Sequence, residues 1–253
     1  MKSTQVELKL PDNRKPSVLD RQTIWAAIKP GDYVDDESDK EYITKTTLTL
    51  RLEFKQLLKI DNLHDLTSLT RLFLDNNFIE KISGLDFLVN LVWLDLSFNK
   101  IRHIEGMDAL KKLQVLALYQ NEIRNIESLD HLKELNVLRV GNNRLHSKED
   151  ILYLRRLPNL RTLSIKGNPI CRSEDWKSFA VALLPNLTYL EIHPVSQSDR
   201  EESAAKYQVN CYKISNSIHI VRKSPKMSHL NFSILAFSTY FCPNKTDLSG
   251  NTV

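Results

Sequence analysis

Asparagines recur in this chain at a regular spacing, and their side-chain amides can form hydrogen bonds. Each follows a short apolar segment, and the first four are 22 residues apart: Asn77, Asn99, Asn121, Asn143 and Asn168. A side-chain amide both donates and accepts hydrogen bonds, so a buried asparagine can satisfy backbone groups that a turn leaves unpaired. We therefore expect a structural column of asparagines here and not a binding site.

A second group of residues has the chemistry of a protein-binding surface. It comprises Arg71, Phe73, Asp75, Trp93, Asp95 and Tyr119. An aromatic centre with a charged rim is typical of the residues that dominate protein–protein affinity. The rings could instead only cover neighbouring strands, with the charges forming a solvated face. We favour binding for Trp93, because a tryptophan on the outer face of a strand is costly to leave exposed without use.

The other reactive residue types predict neither catalysis nor a metal site. Five of the seven histidines lie at scattered positions in the repeats and the cap, without H-x-x-x-H spacing or cysteine partners: His64, His103, His131, His146 and His193. Six glycines in the whole chain leave little room for a Gly-rich phosphate loop. No nucleophile can be paired with a base from these signals. We expect a protein that is not an enzyme and has no metal, cofactor or small-molecule substrate.

Leucines recur with the same period and predict the elements that must position these side chains. Leu69, Leu91, Leu113 and Leu135 each begin a unit of 22 residues, and the pattern within each unit is L-x-x-L-x-L-x-x-N-x-L, which is that of leucine-rich repeats. Each L-x-L segment predicts a short strand whose alternate side chains point inward. The fold class is therefore α/β: a curved leucine-rich-repeat solenoid of about six repeats, with short parallel strands on its concave face.

Helix-start patterns predict how the ends of the solenoid are covered. Residues 17–20 have the form S-x-x-D and predict the start of an N-terminal capping helix. At the other end, Ser173 precedes a C-terminal cap helix with an apolar stripe made of Trp176, Phe179, Ala180, Leu183 and Leu184. The capping box from Ser198 to Glu201 predicts the beginning of a further helix.

These patterns divide the chain into four segments. Residues 1–42 form an N-terminal segment with the capping helix, 43–195 the solenoid with its C-terminal cap, 196–208 the start of a helix, and 209–253 a divergent, poorly ordered tail. The tail has five basic residues and one acidic residue, which account for the net charge of +4. The body is neutral, so a basic isoelectric point does not indicate nucleic-acid binding. Single-stranded RNA could stack its bases on Trp93, but the carboxylates of Asp75 and Asp95 beside it would repel the phosphates.

Apolar segments and cysteines indicate the compartment. The longest apolar segment after the first thirty residues, 234–241, is too short to cross a bilayer, and the first thirty residues lack the apolar core of a signal peptide. The three cysteines, Cys171, Cys211 and Cys242, are odd in number and unrelated in spacing. A reducing, intracellular setting fits this usage best, and we expect no membrane association.

Three segments together resemble a known family. They are LVWLDLSFN in the third unit, YLRRLPNLRTLSIKGNPI across the fifth and sixth units, and EDWKSFAVALLPNLTYLEI at the cap. Over roughly residues 15–208 the chain resembles the subunit 3 family of the dynein regulatory complex, leucine-rich-repeat proteins of the nexin-dynein linker in cilia and flagella. In that family a coiled coil follows the cap, whereas from Val209 this sequence has no heptad pattern.

The resemblance implies a function that the spacing alone does not give. It implies a non-catalytic scaffold subunit of the ciliary or flagellar axoneme that helps to regulate dynein-driven motility. Its partners would be other subunits of the complex and axonemal components, and its location the cytoplasm, cytoskeleton and axoneme. An alternative stays open, because similar repeats occur in phosphatase-regulatory proteins: an intracellular adaptor that grips a protein phosphatase catalytic subunit.

Overall fold

The computed structural model describes residues 17–28, 41 and 44–208. The predicted tail at 209–253 and most of the predicted segment 1–42 lie outside the described residues. The chain divides into two compact units, Met1–Ala204 and Ala205–Val253. The description below concerns the first unit, together with the four residues that complete its last helix.

One eight-stranded sheet runs through the described residues, and its strand order follows the chain order. The strands are β1 Thr49–Arg51, β2 Arg71–Phe73, β3 Trp93–Asp95, β4 Val115–Ala117, β5 Val137–Arg139, β6 Thr162–Ser164, β7 Tyr189–Leu190 and β8 His193–Pro194. Strands β1 to β7 pair in parallel. This confirms the predicted α/β solenoid of stacked parallel strands. The antiparallel strand β8 was not predicted, and it closes a hairpin with β7.

The core is a ladder of leucines at the centre of each strand. From β1 to β6 these central residues are register partners and are completely buried: Leu50, Leu72, Leu94, Leu116, Leu138 and Leu163. Burying one leucine stabilises a fold by about 1.5–3 kcal/mol relative to leaving it exposed. Because each leucine is covered by leucines of the adjacent units, a single unit could not gain this stabilisation alone.

The asparagines form a second buried ladder beside the leucines, and each one joins consecutive units. Asn121, for example, accepts a hydrogen bond at Oδ1 from the Ile101 amide at 3.0 Å. Its Nδ2 donates to the Leu96 carbonyl of the preceding unit at 2.9 Å and to the Leu118 carbonyl of its own unit at 3.1 Å. The same three bonds recur at Asn77, Asn99, Asn143 and Asn168.

The N-terminal helix α1, Arg21–Ile28, begins later than the sequence pattern predicted. Asp20 accepts a hydrogen bond at Oδ1 from the Thr23 amide at 2.7 Å and so caps the helix. The predicted start at Ser17 was wrong, because Ser17 is extended and forms a parallel bridge with Leu57. Its amide donates to the Gln56 carbonyl at 3.0 Å, so Ser17 is hydrogen-bonded to the first repeat unit.

The fifth unit is three residues longer than the preceding ones, and it contains helix α2, Lys148–Tyr153, and a following 3-10 turn, Leu154–Arg156. The helix is hydrogen-bonded to the preceding unit. Asp150 accepts from the Ile126 amide at 2.8 Å. The Tyr153 hydroxyl accepts from the Leu129 amide and donates to Asp130, both at 2.8 Å. Burial is the main reason that the pKa of Tyr153 rises to about 12, so this hydroxyl remains a donor.

The C-terminal cap consists of two helices, α3 Trp176–Leu183 and α4 Gln197–Gln208. The buried residues of α3 are Trp176, Phe179, Ala180 and Val181, whereas the predicted stripe residue Leu183 is half-buried. The predicted start of α4 at Ser198 was wrong by two residues. The same S-x-x-acid pattern occurs at Ser196, whose hydroxyl accepts from the Asp199 amide at 3.1 Å while Asp199 accepts from the Ser196 amide at 2.8 Å.

The asparagine ladder gives a test of what holds the units together. We expect Asn121→Ala to lower the free energy of unfolding by about 3 kcal/mol, because one buried N–H and two buried carbonyls lose their partner. Urea unfolding followed by circular dichroism measures this change. Asn136→Ala, at an exposed asparagine of the next unit, is the control and should change stability by less than about 0.5 kcal/mol. Equal losses in both variants would contradict the structural role.

Candidate protein interface

The candidate interface lies on the side of the sheet opposite the leucines. We call it the strand face: the first and third residues of β1 to β6, and the residue two positions after each of these strands. The central residue of each of these strands is buried while the first residue is exposed or half-buried. All six residues of the predicted binding group belong to this face. The structure places them on β2, β3 and just after β2 and β4.

The aromatic residues form two separate pairs and not one centre. The Phe73 and Trp93 rings lie on adjacent strands with their centroids 6.2 Å apart. Tyr119 makes an edge contact at 5.5 Å with Phe98, a residue that the sequence analysis did not single out. Among the described residues no ring contact joins Tyr119 to Trp93. The expected aromatic cluster of Phe73, Trp93 and Tyr119 is therefore divided.

Tyr119 is drawn away from Trp93 by a glycine on the next strand. A Cβ added to Gly141 would lie 3.0 Å from Cδ2 of Tyr119, so the ring occupies space that only glycine leaves open. The Tyr119 hydroxyl also accepts a hydrogen bond from Nδ2 of Asn142 at 2.6 Å. These contacts fix the ring over β5, a direction that strand alternation could not indicate.

Phe98 is exposed and has a strained backbone. Its side chain is 42% exposed and its φ is 56°. The equivalent positions of the other units also have positive φ and hold Phe54, Asn76, Gln120, Asn142 and Gly167, of which the asparagines and the glycine tolerate this conformation better. A bulky residue in this conformation costs on the order of 1–3 kcal/mol. A comparison of the residues that precede each recurring asparagine in this sequence would have singled out Phe98.

Carboxylates surround the Phe73–Trp93 pair. Burial is the largest cause of a raised pKa at Asp75, and the neighbouring charges of Asp95 and Glu53 raise it further. Asn76 opposes this by donating from Nδ2 to Asp75 at 2.7 Å. Asp95 accepts from the Ser97 amide at 2.9 Å. This part of the strand face therefore holds like charges close together.

Two arginines lie beside these carboxylates. The Arg51 guanidinium lies 4.1 Å from the centroid of the Phe73 ring and donates to Glu53 at 2.8 Å. Arg71 is exposed at the start of β2, and Asp75 lies on the other side of Phe73 along the chain. Among the described residues, neither Asp75 nor Asp95 forms a salt bridge with a lysine or arginine.

Glu191 continues a column of the strand face by sequence, but the structure gives it a structural role. Its Oε1 accepts from the Ile165 and Lys166 amides at 2.7 and 2.8 Å, and Oε2 accepts from Ser164 Oγ at 2.7 Å. In the preceding unit the amide that matches the Ile165 amide is that of Val140, and it donates to the Ser164 backbone carbonyl of the next strand. The Glu191 carboxylate thus accepts the hydrogen bond that the Glu191 backbone carbonyl would accept if the pattern of β5 and β6 continued.

Reactive side chains elsewhere are held in structural contacts. His131 Nε2 lies 2.7 Å from the Met107 carbonyl, and His103 Nδ1 lies 3.3 Å from Glu127 at the surface. Burial raises the pKa of Cys171 to about 11, which suppresses the thiolate that nucleophilic chemistry needs. Within the described ranges, three or more potential metal ligands never lie together. Nor does any helix in those ranges have the length and apolarity to span a bilayer.

The fold and the repeat pattern agree with the comparison with known families. A leucine-rich-repeat family model matches residues 88–216, which are 129 of the 253 residues. The chain belongs to the leucine-rich-repeat family.

Within this family the chain is similar to proteins named dynein regulatory complex subunit 3. It is 39% identical to the Macaca fascicularis protein and 38% to the Homo sapiens protein, in each case over 97 residues that are 32% of this chain and 18% of the relative. The Rattus norvegicus protein is 45% identical over 51 residues, 20% of this chain and 10% of the relative. The predicted resemblance is confirmed for this region, which is less than a fifth of the relatives' length.

Two solved structures with similar folds are a Drosophila melanogaster SNF/U2A′ complex and an internalin, inlF, from Listeria monocytogenes. The first has a TM-score of 0.45 and 21% identity, covering 63% of this chain and 80% of that chain. The second has a TM-score of 0.48 and 25% identity, covering 63% of this chain and 52% of that chain.

The role of Glu191 can be tested by hydrogen exchange. We expect Glu191→Ala to speed exchange of the Ile165 and Lys166 amides by about tenfold or more, because both lose their acceptor. NMR on the full chain measures this exchange residue by residue. The exposed Glu134→Ala is the matched control and should leave both amides unchanged. Slow exchange in Glu191→Ala would show that another group can take over.

The electrostatics of the carboxylates can be tested by titration. We expect the pKa of Asp75 to lie above the ordinary aspartate value and to fall in Asp95→Asn, since a neighbouring negative charge is removed. A raised pKa means that the folded protein holds this proton more tightly than the unfolded chain does. The charged Asp75 carboxylate therefore lowers the free energy of unfolding, and this loss disappears as the pH falls through the pKa of Asp75. NMR titration measures the shift, and Asp108→Asn, at an exposed site, should not change it.

Proposed function

We propose that this chain is a non-catalytic protein-interaction scaffold and a structural and regulatory subunit of the dynein regulatory complex in ciliary and flagellar axonemes. The observation that carries the proposal is the similarity of its repeats to proteins named dynein regulatory complex subunit 3. Its partners would then be other subunits of that complex and axonemal components, and its location the cytoskeleton of the cilium or flagellum.

The arrangement of hydrogen bonds supports a binding role for the strand face. Backbone groups of consecutive units are paired with one another and with the asparagine ladder, so they are not available to a partner. The side chains of the strand face are therefore the groups that can make specific contacts. Repeat solenoids commonly use this kind of extended surface to bind proteins.

Trp93 is the central residue of the proposed interface. It is half-buried against Phe73, and its Nε1 has no hydrogen-bond acceptor among the described residues. A tryptophan that is partly covered in the free protein can be completely buried by a partner at little cost in side-chain entropy. Phe98 and Tyr119 add a second aromatic pair further along the same face.

Binding to axonemes tests this proposal. We expect the double variant Phe73→Ala with Trp93→Ala to bind demembranated axonemes at least about tenfold more weakly than the unchanged chain, because truncating central interface residues costs about 2 kcal/mol or more. Co-sedimentation measures the affinity, and circular dichroism verifies the fold.

The control for this experiment uses apolar residues that lie outside the strand face. Phe87 and Val89 are 57% and 49% exposed, so Phe87→Ala with Val89→Ala removes comparable exposed apolar surface. Undiminished binding by a folded Phe73→Ala, Trp93→Ala variant would reject the interface. Crosslinking of the bound chain then identifies the neighbour: a subunit of the dynein regulatory complex supports the proposal, and a phosphatase catalytic subunit supports the alternative adaptor role.

A further inference from the structure

Charges on the strand face are distributed unevenly along the order of the strands, although Arg51 and Arg71 lie among the acidic residues of the first strands. The acidic residues Glu53, Asp75 and Asp95 lie on or just after β1, β2 and β3. The basic residues Arg139 and Lys166 lie on β5 and just after β6, and both are exposed. Strand β4 between them contributes Ala117, a small residue that is almost completely buried. Three carboxylates stand against two arginines at one end, which we call the acidic end, while Arg139 and Lys166 form the basic end, with an uncharged strand between the two.

The charges at these two ends are not neutralised within the described part of the chain. Arg51 pairs with Glu53, but no described lysine or arginine pairs with Asp75 or Asp95. Arg139 and Lys166 likewise form no ion pair with a described carboxylate. Glu191 accepts hydrogen bonds from the Lys166 amide and from Ser164, so its carboxylate is held by the edge of the sheet.

At the acidic end, Arg51 shows how a cationic side chain of a partner could be bound. The Arg51 guanidinium lies over the Phe73 ring at 4.1 Å and pairs with Glu53 at 2.8 Å. An aromatic face and a carboxylate together attract a guanidinium or ammonium group more strongly than either alone. Trp93 and Asp95 offer the same combination of groups on the next strand, and although Arg71 is the register partner of Trp93, no described ion pair or cation–π contact holds it there.

We propose that the strand face binds an amphipathic helix of a partner protein that presents a lysine or arginine to Asp75 and Asp95 and an aspartate or glutamate to Arg139 and Lys166. This rests on the proposed function, because it takes the strand face as the binding surface. Apolar residues between the charged groups of that helix would cover the half-buried Trp93 and Val115.

The strand spacing sets the distance between the charges on the partner. Neighbouring strands lie about 4.8 Å apart. The midpoint of β2 and β3 is three strand spacings from the midpoint of β5 and β6, about 14 Å on this measure. A helix rises 1.5 Å per residue, so the opposite charges on the partner lie about ten residues apart, or nearly three turns.

A helix suits this face better than an extended segment does. Inside the sheet the backbone groups are already paired, so an extended peptide on the face would find no backbone partners for its own amides and carbonyls. A helix satisfies its own backbone and offers only side chains. Side-chain contacts with an apolar stripe and charged ends are the usual way in which a helix is bound on such a surface.

Two synthetic helical peptides of identical composition test the inference on the full chain. The polarised peptide has lysines at one end, glutamates about ten residues away and leucines between them, and the mixed peptide has the same charges interleaved. Fluorescence anisotropy at low and at physiological salt measures the dissociation constants. We expect the polarised peptide to bind at least about tenfold more tightly at low salt, with a smaller difference at higher salt.

Neutral variants locate the two ends. Asp75→Asn with Asp95→Asn, and separately Arg139→Gln with Lys166→Gln, should each reduce binding of the polarised peptide to the level of the mixed peptide. Lys111→Gln with Glu134→Gln removes one charge of each sign outside the strand face and serves as the control. Both residues are exposed, so this variant should bind both peptides as the unchanged chain does.

Several results would overturn the inference. They are equal affinity for the two peptides, no saturable binding at millimolar peptide, unchanged binding by the face variants, or tighter binding of a proline-containing extended peptide. The axoneme assay separates this failure from failure of the proposed function. If Phe73→Ala with Trp93→Ala loses axoneme binding while the charge variants keep it, the interface stands and its charge selectivity does not.

Discussion

The structure depends on one kind of buried hydrogen-bonding group, the side-chain amide of the asparagine that recurs in five consecutive units. Asn121 connects an amide and a carbonyl of the preceding unit to a carbonyl of its own. An isosteric leucine could fill the same volume, but it would leave these backbone groups buried and unpaired. The leucines supply the apolar burial, while the amides fix how one unit is positioned on the next.

This constraint explains why the fold could be predicted from the sequence. The structural positions of the leucines and asparagines can be assigned from their residue types and their regular interval. This assignment does not require knowledge of contacts with distant parts of the chain. Helix starts were predicted less well, because S-x-x-D and S-x-x-E patterns are short and occur more than once. Near the N-terminus, Ser17 forms a β-bridge with Leu57, and Asp20 caps helix α1 instead. Near the C-terminus Ser196 caps α4 ahead of Ser198.

The candidate interface was predictable only in outline, since strand alternation gives the face of a residue but not its contacts. Phe73 and Trp93 meet because they are diagonal neighbours on adjacent strands. Tyr119 turns toward Gly141, a contact set by a missing Cβ 22 residues later in the chain. Glu191 looks like one more residue of the face, but β7 ends at Leu190 and forms a hairpin with β8, and the Glu191 carboxylate accepts the hydrogen bonds of the Ile165 and Lys166 amides.

The same ladder that holds the repeats together also restricts how they can recognise a partner. With the backbone paired between units, specificity must come from side chains, and their separation is fixed by strand register. The fifth unit shows how strictly this holds: it is three residues longer than the others, yet Val137 still pairs with Thr162 and Leu138 with Leu163. This longer unit contains α2, away from the sheet. An insertion there changes the outer surface and leaves the spacing between the acidic and basic ends of the strand face unaltered.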